Sequence, residues 1–246
     1  MKILVLSDIH ANLSALKAIL ETPGLEWDQA LCLGDIVGYG PEPEECVQLV
    51  FEVCSVILAG NHDLAACNRI GIEDFSPHAY RAMEWTREHL SNSSKERLAR
   101  LEPFRKTKEY CLSHGSPLDP IWSYIMNGED ARFTFSQLPP SQKLCFFGHT
   151  HIPSFFTQEI EGGTVKEYYG KGGMHVSLEL EERRFLLNPG SVGFPRDLGE
   201  AHNSWRLPRA IARYALYDTE KNVWTFHRLE YDMGPTWEKM RRYRLW

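Results

Sequence analysis

Long apolar runs, closely spaced cysteines and an excess of basic residues are all missing from this chain of 246 residues. No run approaches the roughly 20 apolar residues that a membrane-spanning helix needs. The apolar run at the N-terminus is too short for a signal peptide. The six cysteines show no CxxC spacing, which argues against a thiolate zinc site or a disulfide framework. These absences predict a cytoplasmic protein with reduced thiols and no membrane span.

The charge balance excludes a second group of functions. The net charge is -6 and the sequence pI is near 5.9. General nucleic-acid binding relies on Lys and Arg to neutralise phosphates, so neither such binding nor an exonuclease channel is expected. A small anionic substrate remains compatible with this charge, because bound divalent metals would reverse the local sign.

The apolar and charged contents, 43% and 24%, are typical of globular proteins. We find no internal repeat, low-complexity tract or linker, and predict one domain over residues 1–246 with a helical insertion at about 64–103. The predicted strands cover residues 2–7, 29–33, 55–59, 109–113 and 143–147. The predicted helices include 13–21, 43–54, 129–137 and 235–243. Asn12 is the predicted N-cap of the first helix, and Ser76-Pro77 signals the start of a further helix. Hairpins are predicted at 177–180 with 184–187 and at 211–217 with 223–229.

Each of the five predicted strands ends in residues that can bind a metal ion. These strand ends are Ser7-Asp8-Ile9-His10, Gly34-Asp35, Gly60-Asn61-His62-Asp63, Ser113-His114-Gly115 and Gly148-His149-Thr150-His151. One such motif alone is a weak signal, because a turn carries polar side chains whether or not it binds an ion. The strands and helices at the start of the chain alternate, which predicts a parallel sheet. Ligands of a parallel sheet lie at the carboxyl ends of its strands, so the five motifs together indicate a metal site.

The set mixes imidazole, carboxylate and amide ligands and contains no thiolate. That mixture suits Mn²⁺, Fe or Zn²⁺ better than Ca²⁺ or Mg²⁺. Two such ions about 3.5–4 Å apart form a clamp for in-line displacement at phosphorus.

In their order and spacing the five motifs resemble those of the calcineurin-like metallophosphoesterases, and the remainder is similar to their small prokaryotic phosphodiesterase branch. The resemblance implies an α/β fold, a four-layer α/β/β/α sandwich with two stacked mixed sheets, and a dinuclear site at the strand ends. It implies that one metal is held by Asp8, His10 and His151, that the other is held by Asn61, His114 and His149, and that Asp35 bridges the two.

The resemblance also implies how the site works. A hydroxide between the metals attacks phosphorus, while His62, which is not a ligand, protonates the leaving oxygen or stabilises its charge. Arg196, in a late loop typical of this branch, either contacts the phosphate through its planar guanidinium or ties the loop to a carboxylate. Trp122 and Tyr124 either stack a base or pack over the second sheet.

One departure from the family is informative. The Ser/Thr protein phosphatases of this family extend the second motif to Gly-Asp-x-Val-Asp-Arg-Gly, whereas Gly38 and Tyr39 stand here at the later Asp and Arg positions. The missing Asp would orient His62 and the missing Arg would grip the phosphate, so protein phosphatase activity is not expected. Whether Asp63 orients His62 instead is left open by the sequence.

The leading hypothesis is a metal-dependent phosphodiesterase acting on a small soluble phosphate ester or nucleotide. A second is hydrolysis of the phosphoanhydride in dinucleoside polyphosphates by the same two metals. A third is a catalytically silent scaffold, as in the retromer subunit of this family. All seven ligands and His62 are present, which favours an enzyme. No oligomeric state is predicted.

Overall fold

The structure is a computed structural model that describes residues 1–197 and 209–245. Its strands are β1 (Lys2–Leu6), β2 (Gln29–Cys32), β3 (Val56–Ile57), β4 (Phe104–Lys106), β5 (Cys111–Ser113), β6 (Leu144–Phe146), β7 (Ser154–Glu159), β8 (Lys166–Tyr169), β9 (His175–Ser177), β10 (Arg183–Asn188), β11 (Arg209–Asp218) and β12 (Val223–Asp232). Its helices are α1 (Leu13–Leu20), α2 (Pro43–Val53), α3 (Asn61–Ala66), α4 (Pro77–His89), α5 (Asn92–Ala99), α6 (Gly128–Gln137) and α7 (Gly234–Tyr243). None of these helices combines the length and apolarity that crossing a membrane requires.

The strands form two mixed sheets of six strands each. The first sheet has the order β3-β2-β1-β11-β12-β9, and the second has the order β4-β5-β6-β10-β7-β8. Strands β1, β2 and β3 run parallel to one another, as do β5 and β6. The carboxyl ends of parallel neighbours meet at one edge, so the loops that follow these five strands are brought together within each sheet.

Burial on both faces of the first sheet explains the layers. In β1, Leu4 and Leu6 pack against the helices, whereas Ile3 and Val5 pack between the two sheets. On the far side of the second sheet, Phe135 of α6 lies in a third apolar cluster. The order is therefore helices, sheet, sheet, helix, which confirms the predicted four-layer α/β/β/α sandwich.

Local signals in the sequence identify several helix starts correctly. The Asn12 side chain accepts a hydrogen bond from the Ala15 amide at 3.0 Å and caps α1. The Ser76 hydroxyl accepts one from the Ala79 amide at 3.3 Å and caps α4. The predicted hairpin between 211–217 and 223–229 is confirmed and extended, since β11 and β12 pair over ten residues each.

The predicted hairpin between 177–180 and 184–187 is wrong. Strand β9 pairs with β12 in the first sheet, whereas β10 pairs with β6 and β7 in the second. The turn between them therefore joins the two sheets, which a local alternation pattern cannot reveal. Strands β7 and β8 were not predicted because neither alternates: β7 is buried on both faces over five residues, and all four residues of β8 are exposed.

Candidate metal centre

The seven predicted ligands and His62 converge at one end of the sandwich. Asp8 and His10 follow β1, Asp35 follows β2, and Asn61 and His62 begin α3 just after β3. The second sheet supplies His114 after β5 and both His149 and His151 after β6. All eight side chains are buried, and Asn61, the most exposed of them, shows 6% of its surface.

The ligands form two groups that share Asp35. Asp8, His10, Asp35 and His151 place one ligand atom each within 4.8 Å of one another, and Asp35, His114 and His149 do the same. Asp35 Oδ2 lies 3.6 Å from His10 Nε2 and 3.5 Å from His114 Nε2. Asn61 Oδ1 lies 3.3 Å from His114 Nε2 and so stands beside the second group. This grouping is the one that the resemblance implies.

In the first group, two imidazole nitrogens face each other without a proton between them. His10 Nδ1 lies 3.2 Å from the Val37 carbonyl oxygen, and His151 Nδ1 lies 2.7 Å from that of Phe194. Each carbonyl requires the ring proton on Nδ1, which assigns the tautomer. The Nε2 lone pairs then lie 3.0 Å apart, a repulsive contact that a cation beside both nitrogens would relieve.

The second group is built from the same ligand types but differs in its protons. His114 Nδ1 lies 2.9 Å from the Leu33 carbonyl oxygen, so Nδ1 carries a ring proton. Burial acts to lower the pKa of His114, but the neighbouring Asp35 outweighs it and raises that pKa to about 9, so Nε2 holds a second proton. Nε2 lies 3.2 Å from Nδ1 of His149 and 3.3 Å from the Asn61 amide oxygen. A cation bound there would displace the Nε2 proton, so the two groups, with the Asp35 carboxylate between them, fit two divalent metal ions.

Burial controls the protonation of these ligands. It lowers the pKa of His10 and His151 well below the usual histidine range and lowers the pKa of His149 to about 3. These rings are therefore neutral, which is the form that binds metal. Burial also acts to raise the pKa of Asp35, but the neighbouring His114 and His62 outweigh it and hold that pKa well below its usual range.

Asp8 behaves differently. Burial, reinforced by the charge of Asp35, raises the pKa of Asp8 to about 7. A cation bound beside Asp8 would oppose both effects and keep the carboxylate ionised. The carboxylate already accepts hydrogen bonds from the His149 amide at 3.1 and 3.2 Å, so it connects the loops of the two sheets.

Five of the seven ligands have left-handed backbone conformations. Their φ angles are 54° for Asp8, 51° for His10, 54° for Asp35, 65° for His149 and 61° for His151. Such a conformation costs a non-glycine residue roughly 1–2 kcal/mol. Strain of this kind is concentrated at functional sites, where the surrounding structure holds it in place.

His62 lies beside the ligands but belongs to neither group. Its ring centroid is 4.8 Å from those of Tyr39 and Phe75 and 4.9 Å from that of His10. Its Nδ1 is buried and has no hydrogen-bond partner in the described part of the chain. Burial lowers the pKa of His62 to about 4, against the opposing charge of Asp35.

Asp63 does not orient His62. One carboxylate oxygen accepts the amides of Ile36 and Val37 at 2.9 and 3.1 Å, and the other accepts the Gly60 amide at 2.9 Å. Asp63 therefore fixes the loop that carries Asp35. The question left open by the sequence is settled by these three contacts.

A cavity of about 380 Å³ opens above the two groups. Its walls include the three residues singled out as substrate contacts, Arg196, Trp122 and Tyr124. The Tyr124 ring stacks on the His149 ring, with a centroid distance of 4.0 Å and an interplanar angle of 14°. His149 therefore covers one face of Tyr124. Arg196 is exposed, and no carboxylate within residues 1–197 or 209–245 forms an ion pair with it. The adjacent Asp197 pairs instead with Arg213.

Part of the cavity wall was not identified from the sequence. Asp74 and Phe75 line the cavity, and both precede the Ser76-Pro77 start of α4. Their position just before a helix start carries no chemical signal in the sequence, because only the fold brings this segment over the strand ends.

The fold and the two ligand groups define a metallophosphoesterase. The chain belongs to the calcineurin-like phosphoesterase superfamily, whose domain it matches over residues 1–204. It is 34% identical over 252 residues to the uncharacterized protein MJ0912 of Methanocaldococcus jannaschii, with 99% of this chain and 93% of that protein covered.

Solved structures agree. A metallophosphoesterase from Sphaerobacter thermophilus is 36% identical and superposes with a TM-score of 0.80, covering 98% of this chain and 93% of that one. The hypothetical protein PH1004 from Pyrococcus horikoshii OT3 has a TM-score of 0.72 over 99% of this chain and 94% of that one. At 20% identity the latter shows the fold alone.

Proposed function

We propose that this protein is a dinuclear-metal-dependent phosphodiesterase that hydrolyses a small soluble phosphate ester or nucleotide. The observation that carries the proposal is the pair of ligand groups sharing Asp35 beneath a cavity that Arg196 lines. Two transition metals, Mn²⁺, Fe or Zn²⁺, would supply Lewis acidity towards the phosphate and the attacking water.

Each residue of the centre then has a role. Asp8, His10 and His151 would hold one ion, Asn61, His114 and His149 the other, and Asp35 both. Arg196 binds non-bridging phosphate oxygens, because its planar guanidinium matches them bidentately. His62 donates a proton or a hydrogen bond to the leaving oxygen.

The walls of the cavity favour a small substrate. Phe75, from the segment between α3 and α4, and Trp122, from the loop between β5 and α6, narrow the approach to the metal centre, with ring centroids 6.0 Å apart. At about 380 Å³ the cavity is at the small end of ligand sites and too small for a folded phosphoprotein. Gly38 and Tyr39 also replace the Asp and Arg that protein phosphatases carry there.

The test is a Mn²⁺-supplemented panel of nucleotides, cyclic nucleotides, chromogenic phosphate diesters and one intact phosphoprotein. We expect turnover of small diesters that chelation abolishes and Mn²⁺ restores. Dephosphorylation of the phosphoprotein faster than the small diesters would overturn the proposal.

The same panel separates the two alternatives. Adding a dinucleoside polyphosphate tests phosphoanhydride hydrolysis, and a preference for it over every diester would favour that activity. A protein that binds two metals and turns over nothing would be a scaffold. We place the activity in the cytoplasm because all six cysteines are free thiols, which suits a reducing compartment.

A further inference from the structure

The wall of the cavity next to His62 is aromatic. Phe75 contacts the His62 ring at a centroid distance of 4.8 Å and an interplanar angle of 47°. The Trp122 ring centroid lies 6.0 Å from that of Phe75, and the interplanar angle is 83°. The three rings therefore extend outward from the metal centre in the order His62, Phe75, Trp122.

The other aromatic rings of the cavity already have stacking partners. Tyr39 stacks on Phe194 at 4.8 Å and 6°, and Tyr124 covers His149 at 4.0 Å and 14°. Tyr124 is 45% exposed, but His149 already covers one face of its ring. Trp122 is 41% exposed and meets Phe75 only edge to face, and no ring within residues 1–197 or 209–245 stacks on it. Trp122 is thus the cavity ring whose faces are not already taken by a stacked ring.

The direction of this wall identifies the part of the substrate that it meets. If His62 acts on the leaving oxygen, the groups beyond His62 contact the leaving group rather than the transferred phosphoryl group. Asp74, an exposed residue that directly precedes Phe75 in the chain, also lines the cavity. A carboxylate accepts hydrogen bonds from hydroxyl and amino groups and disfavours further phosphates.

We propose that the leaving group is a nucleoside, with its base stacked on Trp122 and its hydroxyl or amino groups bound by Asp74. This inference rests on the proposed function for the placement of the phosphate over the metals. Stacking tolerates any base because every base presents a π face. Asp74 distinguishes a nucleoside from a simple aryl group, which lacks the hydrogen-bond donors.

The test compares binding of adenosine 5′-monophosphate, ribose 5-phosphate and adenosine by calorimetry. The metal-loaded His62→Ala variant is used, so that turnover is slow. We expect adenosine 5′-monophosphate to bind more tightly than ribose 5-phosphate. Trp122→Ala should weaken binding of both adenosine compounds roughly 5- to 150-fold, the range for loss of one base–aromatic stack, and leave ribose 5-phosphate unchanged. Trp122→Phe should retain most of the preference.

A matched control is available on the surface. Phe133 is 63% exposed and does not line the cavity, so Phe133→Ala should change none of the three affinities. Equal binding of adenosine 5′-monophosphate and ribose 5-phosphate, unaffected by Trp122→Ala, would overturn the inference and assign Trp122 to packing.

Failure of the proposed function gives a different result. Binding of adenosine that depends on Trp122, together with no hydrolysis of any ester by the wild-type protein, would support the base subsite and contradict the phosphodiesterase activity.

A separate test concerns Asp74. If the amino group of the base is the donor, Asp74→Asn should weaken the binding of adenosine more than that of purine riboside, which lacks the amino group. If the ribose hydroxyls are the donors, Asp74→Asn should instead weaken both nucleosides equally. No effect of Asp74→Asn on either nucleoside would remove Asp74 from the inference.

Discussion

A Cβ atom on Gly38 would lie 2.2 Å from Nδ1 of His62, so the two residues are in contact only because position 38 is glycine. The φ angle of Gly38, +89°, also lies in the region that L side chains rarely adopt. The Asp that protein phosphatases carry at this position therefore has no room here. His62 is instead held by its packing against Tyr39, Phe75 and His10.

Gly38→Ala should displace His62 without removing a metal ligand. We expect kcat to fall towards that of His62→Ala, with metal content retained. Gly24→Ala is the matched control, because Gly24 has a φ of +75° but open space around it. Both variants should lose roughly 1–2 kcal/mol of stability from backbone strain, and only Gly38→Ala should lose activity. Equal activities in the two variants would contradict the contact's role.

Removing the shared carboxylate should affect both ions. Asp35→Ala removes Asp35 Oδ2, which lies within 3.6 Å of a histidine nitrogen in each of the two groups. The positive charges of two ions would then be less compensated, so both should be lost. Elemental analysis of the purified variant checks this, with Asp74→Asn, a neighbouring carboxylate outside both groups, as the control. Undiminished metal in Asp35→Ala would remove Asp35 from the bridging role.

Substitutions at the adjacent residues Asn61 and His62 should have different effects on metal binding and on catalysis. Asn61→Ala removes an oxygen from the second group, so metal occupancy should fall there first. His62→Ala should keep both metals and lower kcat roughly 10²–10⁴-fold on a nucleotide, the usual range for general acid assistance. A nitrophenolate leaves readily without a proton, so activity on a nitrophenyl ester should suffer far less. An equal loss on both esters, with metals intact, would point to phosphate binding by His62.

A carboxylate away from the site gives a pH-dependent prediction. Burial acts to raise the pKa of Glu44, but hydrogen bonds from Ser91, Ser94 and Gln48 outweigh it and hold that pKa below its ordinary value of 4.5. The ionised group is therefore favoured by folding. Its contribution is present above pH 4.5 and is lost as the pH falls through the lower pKa of the folded state.

Urea unfolding of the wild type and Glu44→Gln from pH 7 to pH 3 tests this sign. The wild type should be more stable at pH 7 by roughly 1 kcal/mol or less, as expected for hydrogen bonds at a largely exposed site. The difference should shrink below pH 4.5. A difference that stays constant over the whole range would show that the ionised form is not the one favoured.

The sequence predicts the part of this protein that depends on local patterns. Apolar runs ending in ligands identify β1, β2, β5 and β6, and side-chain caps identify α1 and α4. Partner choice between sheets is not local, which is why the turn after β9 was placed in a hairpin. The same limit hides Asp74 and Phe75, whose place at the cavity depends on how α3 and α4 pack.

The same distinction between local patterns and non-local contacts applies to the site residues. Imidazole and carboxylate groups at strand ends can be recognised one by one, whereas the contacts made by their neighbours cannot. Asp63 is an example, since its carboxylate turns away from the adjacent His62 to bind three backbone amides. Adjacent residues at a helix start point in different directions, and those directions depend on the three-dimensional structure.

The division of ligands between the two sheets has a consequence for folding. β1 pairs with β11, with Lys2 opposite Asp218, so the first sheet forms only when distant parts of the chain meet. Neither sheet alone holds a full ligand group, because His10 and Asp35 come from one and His151 from the other. Metal uptake should therefore be a late event in refolding. In stopped-flow refolding with Co²⁺, the ligand-field absorption should rise no earlier than the fluorescence change of Trp224, which is buried between the sheets.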